Sequence, residues 1–250
     1  MAEWWEEMFS SEAWQAVQRN WSSVEDTADQ TERVIEALGL DAGARVLDVP
    51  AGDGRIALEL AAAGYVVVGV DAIAAFVEAG RRDAERRGLT NVTLEVGDMR
   101  ELTYDAEFDA AICFWGSFGY FDDAGNLAQA ASVARALRAG GRYLIDTPSL
   151  ETLYPRFRER TWFRVDDTVV LQEASLVMGT GRVETEWTFV RSGVPAGSHR
   201  TSVRVYPVHE LTELLREAGF ESFELRDDEL FDFELGSQRL WLIASKGEGG

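Results

Sequence analysis

Three aspartates and a pair of glycines hold the chemistry this chain can offer. They are Asp48, Gly52 and Gly54 in the run Val46-Leu47-Asp48-Val49-Pro50-Ala51-Gly52-Asp53-Gly54-Arg55, then Asp71 and Asp98. Gly52 and Gly54 sit where an apolar run gives way to a helical one. Glycine lacks Cβ, so a turn built on it lets the backbone approach a ligand closely. The helix opening near Arg55 would aim its free N–H groups at the bound group. Asp71 follows Gly52 by 19 residues and ends a second apolar run. A carboxylate there can accept hydrogen bonds from both hydroxyls of a ribose. Asp98 closes a third run, where a carboxylate can accept from an adenine amino group. Any one of these could be a turn glycine or a capping acid; together, at matching offsets, they point to a nucleoside site.

Two cofactor classes share this pattern. Gly52-Asp53-Gly54-Arg55-Ile56-Ala57 is a formal G-x-G-x-x-A, and Asp71 follows at the dinucleotide distance. The motif alone fits NAD as well as S-adenosylmethionine. Three features favour the second. Asp48 lies in the strand before the turn, where a carboxylate can meet the methionine ammonium. Gly97-Asp98-Met99 supplies an adenine site at the third strand. The chain closes with two adjacent strand-like runs, not with a second mononucleotide-binding half.

The elements that must position these residues alternate. Strands are expected at Arg45 to Val49, Val66 to Val70, Val92 to Val96, Phe108 to Phe114 and Arg142 to Asp146. Helices are expected at Arg55 to Ala63, Ala74 to Arg87 and Asn126 to Leu137, with Gly64 and Gly88 as stops. Such alternation implies βαβ units and a parallel sheet. Residues 3–40 read as helices. Between Thr161 and Tyr206 the pattern changes to four strands at Trp162–Val165, Val169–Val177, Arg182–Val190 and Arg200–Tyr206, with Gly193 to Gly197 as a turn. There Val183, Thr185, Trp187 and Phe189 alternate with Glu184, Glu186 and Thr188, one packed face and one polar face. A helix His209–Ala218 and the pair Phe220–Leu225 and Arg239–Ser245 then complete the core. The expected fold is α/β: a doubly wound, mostly parallel seven-stranded sheet, Rossmann-like, with an inserted antiparallel β sub-domain. The expected organisation is a helical lid over 1–30, a cofactor core over 31–150, an acceptor-covering sheet over 151–207 and the rest of the core over 208–250.

On these motifs the chain resembles the class I S-adenosylmethionine-dependent methyltransferases, over roughly residues 27–150 and 209–246. The inserted sheet makes it most similar to the small-molecule branch with glycine N-methyltransferases and antibiotic sugar N,N-dimethyltransferases. The resemblance implies that Asp48 through Gly54, with Pro50, Ala51 and Gly52 among them, hold the methionine part. It implies that Asp71 holds the ribose and that Asp98 with the Met99 backbone holds the adenine, with Arg55 and Ala72 also in the cofactor set. Phe114 completes the cofactor set, and the stretch Phe114 to Tyr120 lies beside the transferable methyl. Pro50 stands where the family has its first glycine, Ala51 where cysteine or glycine is common, and Ala72-Ile73-Ala74 where an apolar-Ser-Pro is usual.

Methyl transfer to an amine or hydroxyl is an in-line displacement whose activated methyl comes with the cofactor, leaving the protein to position the acceptor and remove water. Trp115, Ser117, Phe118 and Tyr120 are the candidate acceptor contacts. Trp14 and Trp21 join them from an aromatic N-terminus that also holds Trp4, Trp5 and Phe9. Tyr206, Tyr120 and His209 are the candidates for acid–base work. His199 reads as surface. Glu173, Glu184 and Glu186 read as a solvated face, and Cys113 as a small buried apolar residue.

The formal charge of -20 disfavours a nucleic-acid partner, since an acidic surface repels phosphates. Residues 1–30 carry seven acids against one arginine, whereas residues 151–210 balance at eight and eight. The single cysteine excludes an internal disulfide, and no Cys/His spacing suggests a zinc site. No apolar run is long enough for a membrane span, and the acidic start lacks the basic region of a signal peptide. The expectation is a cytoplasmic bacterial enzyme, monomer or homodimer, that takes S-adenosylmethionine, leaves S-adenosylhomocysteine and methylates N or O of a small metabolite. A sugar or natural-product intermediate is the candidate acceptor. An NAD-type oxidoreductase and a non-catalytic S-adenosylmethionine-binding protein are the alternatives.

Overall fold

The structure, a computed structural model, describes residues 3–18 and 24–248. Two short helices, α1 (Trp4–Phe9) and α2 (Glu12–Gln18), precede the longer α3 (Val24–Leu38). The alternating region follows: β1 (Arg45–Asp48), α4 (Arg55–Ala62), β2 (Val66–Asp71), α5 (Ala74–Arg87), β3 (Val92–Val96), β4 (Phe108–Cys113), α6 (Asp123–Ala136) and β5 (Leu137–Thr147). A one-turn helix α7 (Leu150–Leu153) leads to four strands, β6 (Arg160–Val165), β7 (Thr168–Val177), β8 (Arg182–Arg191) and β9 (Val194–Arg204). The chain ends with α8 (Val208–Glu217), β10 (Phe220–Arg226) and β11 (Leu240–Lys246).

The main sheet has seven strands in the order β10-β11-β5-β4-β1-β2-β3. β1 to β5 pair in parallel, and β11 runs antiparallel between β5 and β10. The expected doubly wound sheet is therefore present, with its closing antiparallel strand pair. Period-two alternation sorts each strand into two core layers. Leu47, Ala111, Tyr143, Ile145 and Leu242 face α6 and α8, packing with Val133, Leu211 and Leu215. Val46, Ala110, Ile112, Leu144 and Trp241 face the other way, onto Val34 of α3 and Ile56 and Leu60 of α4. Both faces are covered, which is why these strands read as nearly continuous apolar runs.

The second sheet is antiparallel, in the order β6-β7-β8-β9. Its inner face carries Val170 and Phe189, which pack on Met8, Ala13 and Val17 of α1 and α2. Glu173, Glu184 and Glu186 are exposed on the outer face, as the alternation predicts.

Among the boundaries that differ from the sequence expectation, three change the reading. β9 starts at Val194, so the hairpin turn is Ser192-Gly193 and not Gly193 to Gly197. Pro195 is accommodated because β9 is an edge strand with a register shift beside it. β9 also ends at Arg204, leaving Tyr206 beyond it. β5 begins at Leu137, and Gly140-Gly141 lie in a register irregularity inside the strand, not in a turn before it.

The second sheet is bonded to the loop that follows β4. Arg204 N–H donates to the Gly119 carbonyl at 2.8 Å, and Arg182 Nη1 donates to the Phe121 carbonyl at 2.9 Å. The backbone at Gly119 is left-handed, with φ +103°. A side chain there would run into the Arg204 carbonyl. Glycine is the residue that meets both conditions without strain. Gly119→Ala is expected to lose at least about 2 kcal/mol of stability, read as a lowered urea midpoint at unchanged slope.

Candidate functional site

Parallel strands all end on one edge of a sheet, and ligands bind there where the strand order reverses. That point lies here between β1 and β4, the strands that lead into Pro50 to Gly54 and into Phe114 to Tyr120. A cavity of about 1310 Å³ opens along this edge. Its floor comes from the ends of β1, β2 and β3 on one side and from the loop after β4 on the other. α1, α2, β8 and β9 supply its cover.

Asp48 is the last residue of β1, buried at 2% exposure, and lines this cavity. Burial pushes its carboxyl up to about 8, against the pull of Arg55 and with a push from the nearby Asp71. Among the described residues no ion pair closes on it, so it is a buried carboxylate whose charge asks for a cation. The Val49–Pro50 peptide that follows is cis. Gly54, left-handed at φ +80°, precedes α4 and turns the chain under the cavity.

Asp71 ends β2 and braces the turn. Its Oδ2 accepts from Gly52 N–H at 2.8 Å and its Oδ1 from Ile73 N–H at 2.8 Å. Burial raises its carboxyl while these two N–H groups pull it back. Each oxygen keeps a lone pair for a further donor, which is what a pair of ribose hydroxyls requires. Asp53, inside the Asp48 to Gly54 stretch, also lines the cavity, and burial raises its carboxyl too.

Asp98 lines the cavity, but its carboxylate is engaged. Arg100 donates from its backbone N–H, from Nε and from Nη2 at 2.6–3.1 Å. Burial acts to raise this carboxyl, and the Arg100 bonds outweigh it and hold it below the usual range. An adenine amino group would share Asp98 with Arg100. Met99 and Ala72 line the same slot, with Ile73 and Phe76 as apolar walls.

Arg55 occupies the junction of the two halves. Its Nη1 donates to Thr27 Oγ1 at 3.0 Å and to Gln30 Oε1 at 2.8 Å, both on α3. Its guanidinium lies 5.0 Å from the Trp115 ring centroid. Trp115 has an uncommon left-handed backbone, φ +64°. It is held by Asp146, whose Oδ2 accepts from Trp115 N–H at 2.8 Å. Asp146 is 2% exposed and also takes Arg239 Nε and Nη2 at 2.5 and 2.8 Å and Trp241 Nε1 at 3.2 Å. Its carbonyl accepts Gly116 N–H at 2.9 Å. One buried carboxylate thus shapes the loop that presents Trp115, Ser117 and Tyr120 to the cavity.

The structure gathers most of the residues singled out in the sequence. Asp48, Pro50, Ala51, Gly52, Arg55, Asp71, Ala72, Asp98, Met99 and Phe114 line the cavity, as do Trp14, Trp115, Ser117 and Tyr120. Gly54 is buried behind the turn. Three others fall elsewhere. Phe118 is 1% exposed and packs in the core, its ring 6.0 Å from that of Tyr206. Tyr206 does not reach the cavity: its hydroxyl donates to Asp123 Oδ1 at 2.7 Å and accepts Asn126 Nδ2 at 2.9 Å. His209 is exposed on the first turn of α8, away from the cavity. Trp21 lies outside the described residues. His199 is half-buried beside Phe189 on β9, not free surface. Cys113 is fully buried, and burial pushes its thiol up to about 12. Trp187, Thr201 and Val203 line the cavity from β8 and β9. Their signal was the alternation that placed Trp187 on the packed face; what that face packs against was not readable.

Residues 46–141 match the family described as methyltransferase domain. The ubiquinone/menaquinone biosynthesis C-methyltransferase UbiE of a Geobacter species is 34% identical over 132 residues, covering 50% of this chain and 54% of that protein. The chain thus spans about half the length of that relative. The CcbJ methyltransferase of Streptomyces caelestis superposes with a TM-score of 0.80 at 17% identity, over 96% of this chain and 98% of that one. An amino pentose methyltransferase of Micromonospora echinaspora, involved in calicheamicin biosynthesis and solved with S-adenosylmethionine bound, gives 0.68 at 22% identity, over 94% and 97%. The fold is the class I S-adenosylmethionine-dependent methyltransferase fold.

Removing the Arg239 guanidinium leaves Asp146 buried without its countercharge. Arg239→Ala is expected to cost about 2–3 kcal/mol, the penalty for breaking a buried pair reduced because Arg239 is partly exposed. Adding Asp146→Asn should recover most of that loss. Thermal or urea melts of the single and double variants measure both.

Proposed function

We propose, from the methyltransferase domain that residues 46–141 carry on this fold, that the chain transfers a methyl group from S-adenosylmethionine to N or O of a small metabolite. The observation that carries the reading is Asp48, a buried carboxylate in an acidic turn, facing the same cavity as the aromatic loop after β4. The donor set fits a cationic nucleoside. Asp48 suits the methionine ammonium and Arg55 the methionine carboxylate. Asp71 suits the ribose hydroxyls, and the slot between Ile73 and Met99 suits the adenine ring.

S-adenosylmethionine supplies an activated methyl when bound. The residues of this chain orient and enclose. Trp4, Trp14 and their helices cover the cavity from the N-terminus, and β8 and β9 cover it from the inserted sheet, which keeps water from the reacting atoms. We read residues 1–30 as a lid and 151–207 as an acceptor cover on this basis. Tyr120 donates to Ser117 Oγ at 3.4 Å, and burial raises its hydroxyl well above the ordinary range. It therefore stays protonated at neutral pH and orients an acceptor by hydrogen bonding, not as a base. Tyr206 and His209 have no place in this scheme. A natural-product intermediate as acceptor is supported by the calicheamicin-pathway neighbour. No helix among the described residues is long and apolar enough to cross a membrane, and the net charge of -20 opposes nucleic acid; a cytoplasmic setting goes with this reading.

Asp48 makes the reading testable through pH. Its carboxyl titrates at about 8 without ligand, so at pH 7 it is mostly protonated. An ammonium favours the ionised form, so binding below pH 8 must expel the proton. Calorimetry of S-adenosylhomocysteine binding at pH 7 in buffers of different ionisation enthalpy should show release approaching about one proton, falling to about half a proton at pH 8 and fading above it. Asp48→Asn should abolish the release. Asp71→Ala should weaken binding by about tenfold or more, the loss of a charge-assisted hydrogen-bond pair. Unchanged affinity in Asp71→Ala would remove the ribose assignment.

A further inference from the structure

We propose that the acceptor is a neutral, planar aromatic molecule carrying the hydroxyl or amino group to be methylated. This rests on the methyltransferase reading above and narrows its acceptor.

The acceptor side of the cavity is a continuous network of rings. Trp4 meets Tyr120 edge-on with centroids 4.9 Å apart. Phe9 lies 5.8 Å from Tyr120 and 5.5 Å from Trp14. Trp14 meets Trp187 edge-on at 5.6 Å. All five line the cavity. They come from three separate parts of the chain: the N-terminal helices, the loop after β4, and β8.

The polar ends of these rings are already used. Trp14 Nε1 donates to Gln18 Oε1 at 3.0 Å, and Trp187 Nε1 donates to Thr201 Oγ1 at 3.0 Å. Trp4 Nε1 points to the Tyr120 carbonyl at 3.4 Å. The network therefore offers π surface, with the Gln18 amide and the hydroxyls of Ser117, Tyr120 and Thr201 as its few polar groups. The cavity acids Asp48, Asp53, Asp71 and Asp98 belong to the β1–β3 end. Arg55 stacks on Trp115.

This composition separates acceptor classes. A sugar buries several hydroxyls, and each one left without a partner is penalised. Three protein hydroxyls and the Gln18 amide, themselves largely engaged, are too few to serve them. A permanently charged amine could take ring faces by cation–π contact but offers no plane to the edge-on rings. A planar ring gains offset and edge-on contacts with every member of the network. The missing base also fits. An aromatic hydroxyl has an ordinary value of about 10 and gives up its proton far more readily than an aliphatic one. In the step, an acceptor lone pair forms the new bond to the methyl carbon. The electrons of the broken carbon–sulfur bond stay on sulfur, which becomes a neutral thioether, and the acceptor proton passes to water.

The test is isothermal calorimetry on the full chain saturated with S-adenosylhomocysteine, with 2-naphthol, galactosamine and choline as probes. Saturable 2-naphthol binding is expected, at least tenfold tighter than either other probe. Trp14→Ala and Trp187→Ala should each weaken it about tenfold while S-adenosylhomocysteine affinity stays within twofold. Galactosamine or choline binding more tightly than 2-naphthol overturns the proposal, as does 2-naphthol binding unchanged in both variants. Should the variants not fold, the ranking of probes on the unaltered chain decides. Failure of S-adenosylhomocysteine to bind the unaltered chain would instead sink the cofactor reading; 2-naphthol titrated without it would still read the ring network.

Discussion

Burial of carboxylates along one sheet edge is the constraint on which the rest of this structure depends. Parallel strands deliver their last residues to the same side, and three of these strands bring an aspartate, Asp48, Asp71 or Asp146, to that edge. Each is nearly excluded from water, where an unpaired charge is expensive. Asp71 is satisfied by two backbone N–H groups that also set the turn around Gly52. Asp146 is satisfied by Arg239, by the Trp241 indole and by Trp115 N–H. Among the described residues Asp48 is not closed by a comparable partner, and burial raises its carboxyl. The edge is thus settled at two points and open at one, and the open point is where the proposed function seats the cationic end of its cofactor.

The same bonds that settle Asp146 set the far side of the cavity. Trp115 is held in a left-handed backbone by a carboxylate on β5, so acceptor geometry is tied to the core of the sheet and not to a free loop. The inserted sheet is fastened to the same loop through Arg182, Arg204 and the close approach at Gly119. Its inner face is filled by Met8, Ala13 and Val17. The N-terminal helices α1 and α2, the insert and the loop after β4 therefore form one packed unit around the ring network, and a change in any of them is expected to be felt at the cavity.

Much of the core was legible because its signals are local. Strand runs of Val, Ile and Ala, the Gly52-Asp53-Gly54 turn and the stops at Gly64 and Gly88 each depend on neighbours in sequence. The antiparallel closing pair followed from the absence of a helix between two strand runs. Asp48, Asp71 and Asp98 were found because a strand end is a position in sequence as well as in space. Pro195 misled because proline reads as a turn until the strand is known to be an edge. Phe118 and Tyr206 misled because aromatic type does not say which way a side chain faces.

The residues alone determined the order of strands and helices, the glycine turn, the acids that end the strands and the alternating face of the insert, since each follows from backbone preference or spacing of two and 3.6 residues. Only the tertiary structure decided which of those groups share a cavity. It tied Asp98 to Arg100, sent the Tyr206 hydroxyl to Asp123 and Asn126, left His209 in solvent, and brought Trp4, Trp14, Tyr120 and Trp187 into one network. Those outcomes depend on contacts between segments more than sixty residues apart, or on a loop closing on itself, and no local spacing encodes them.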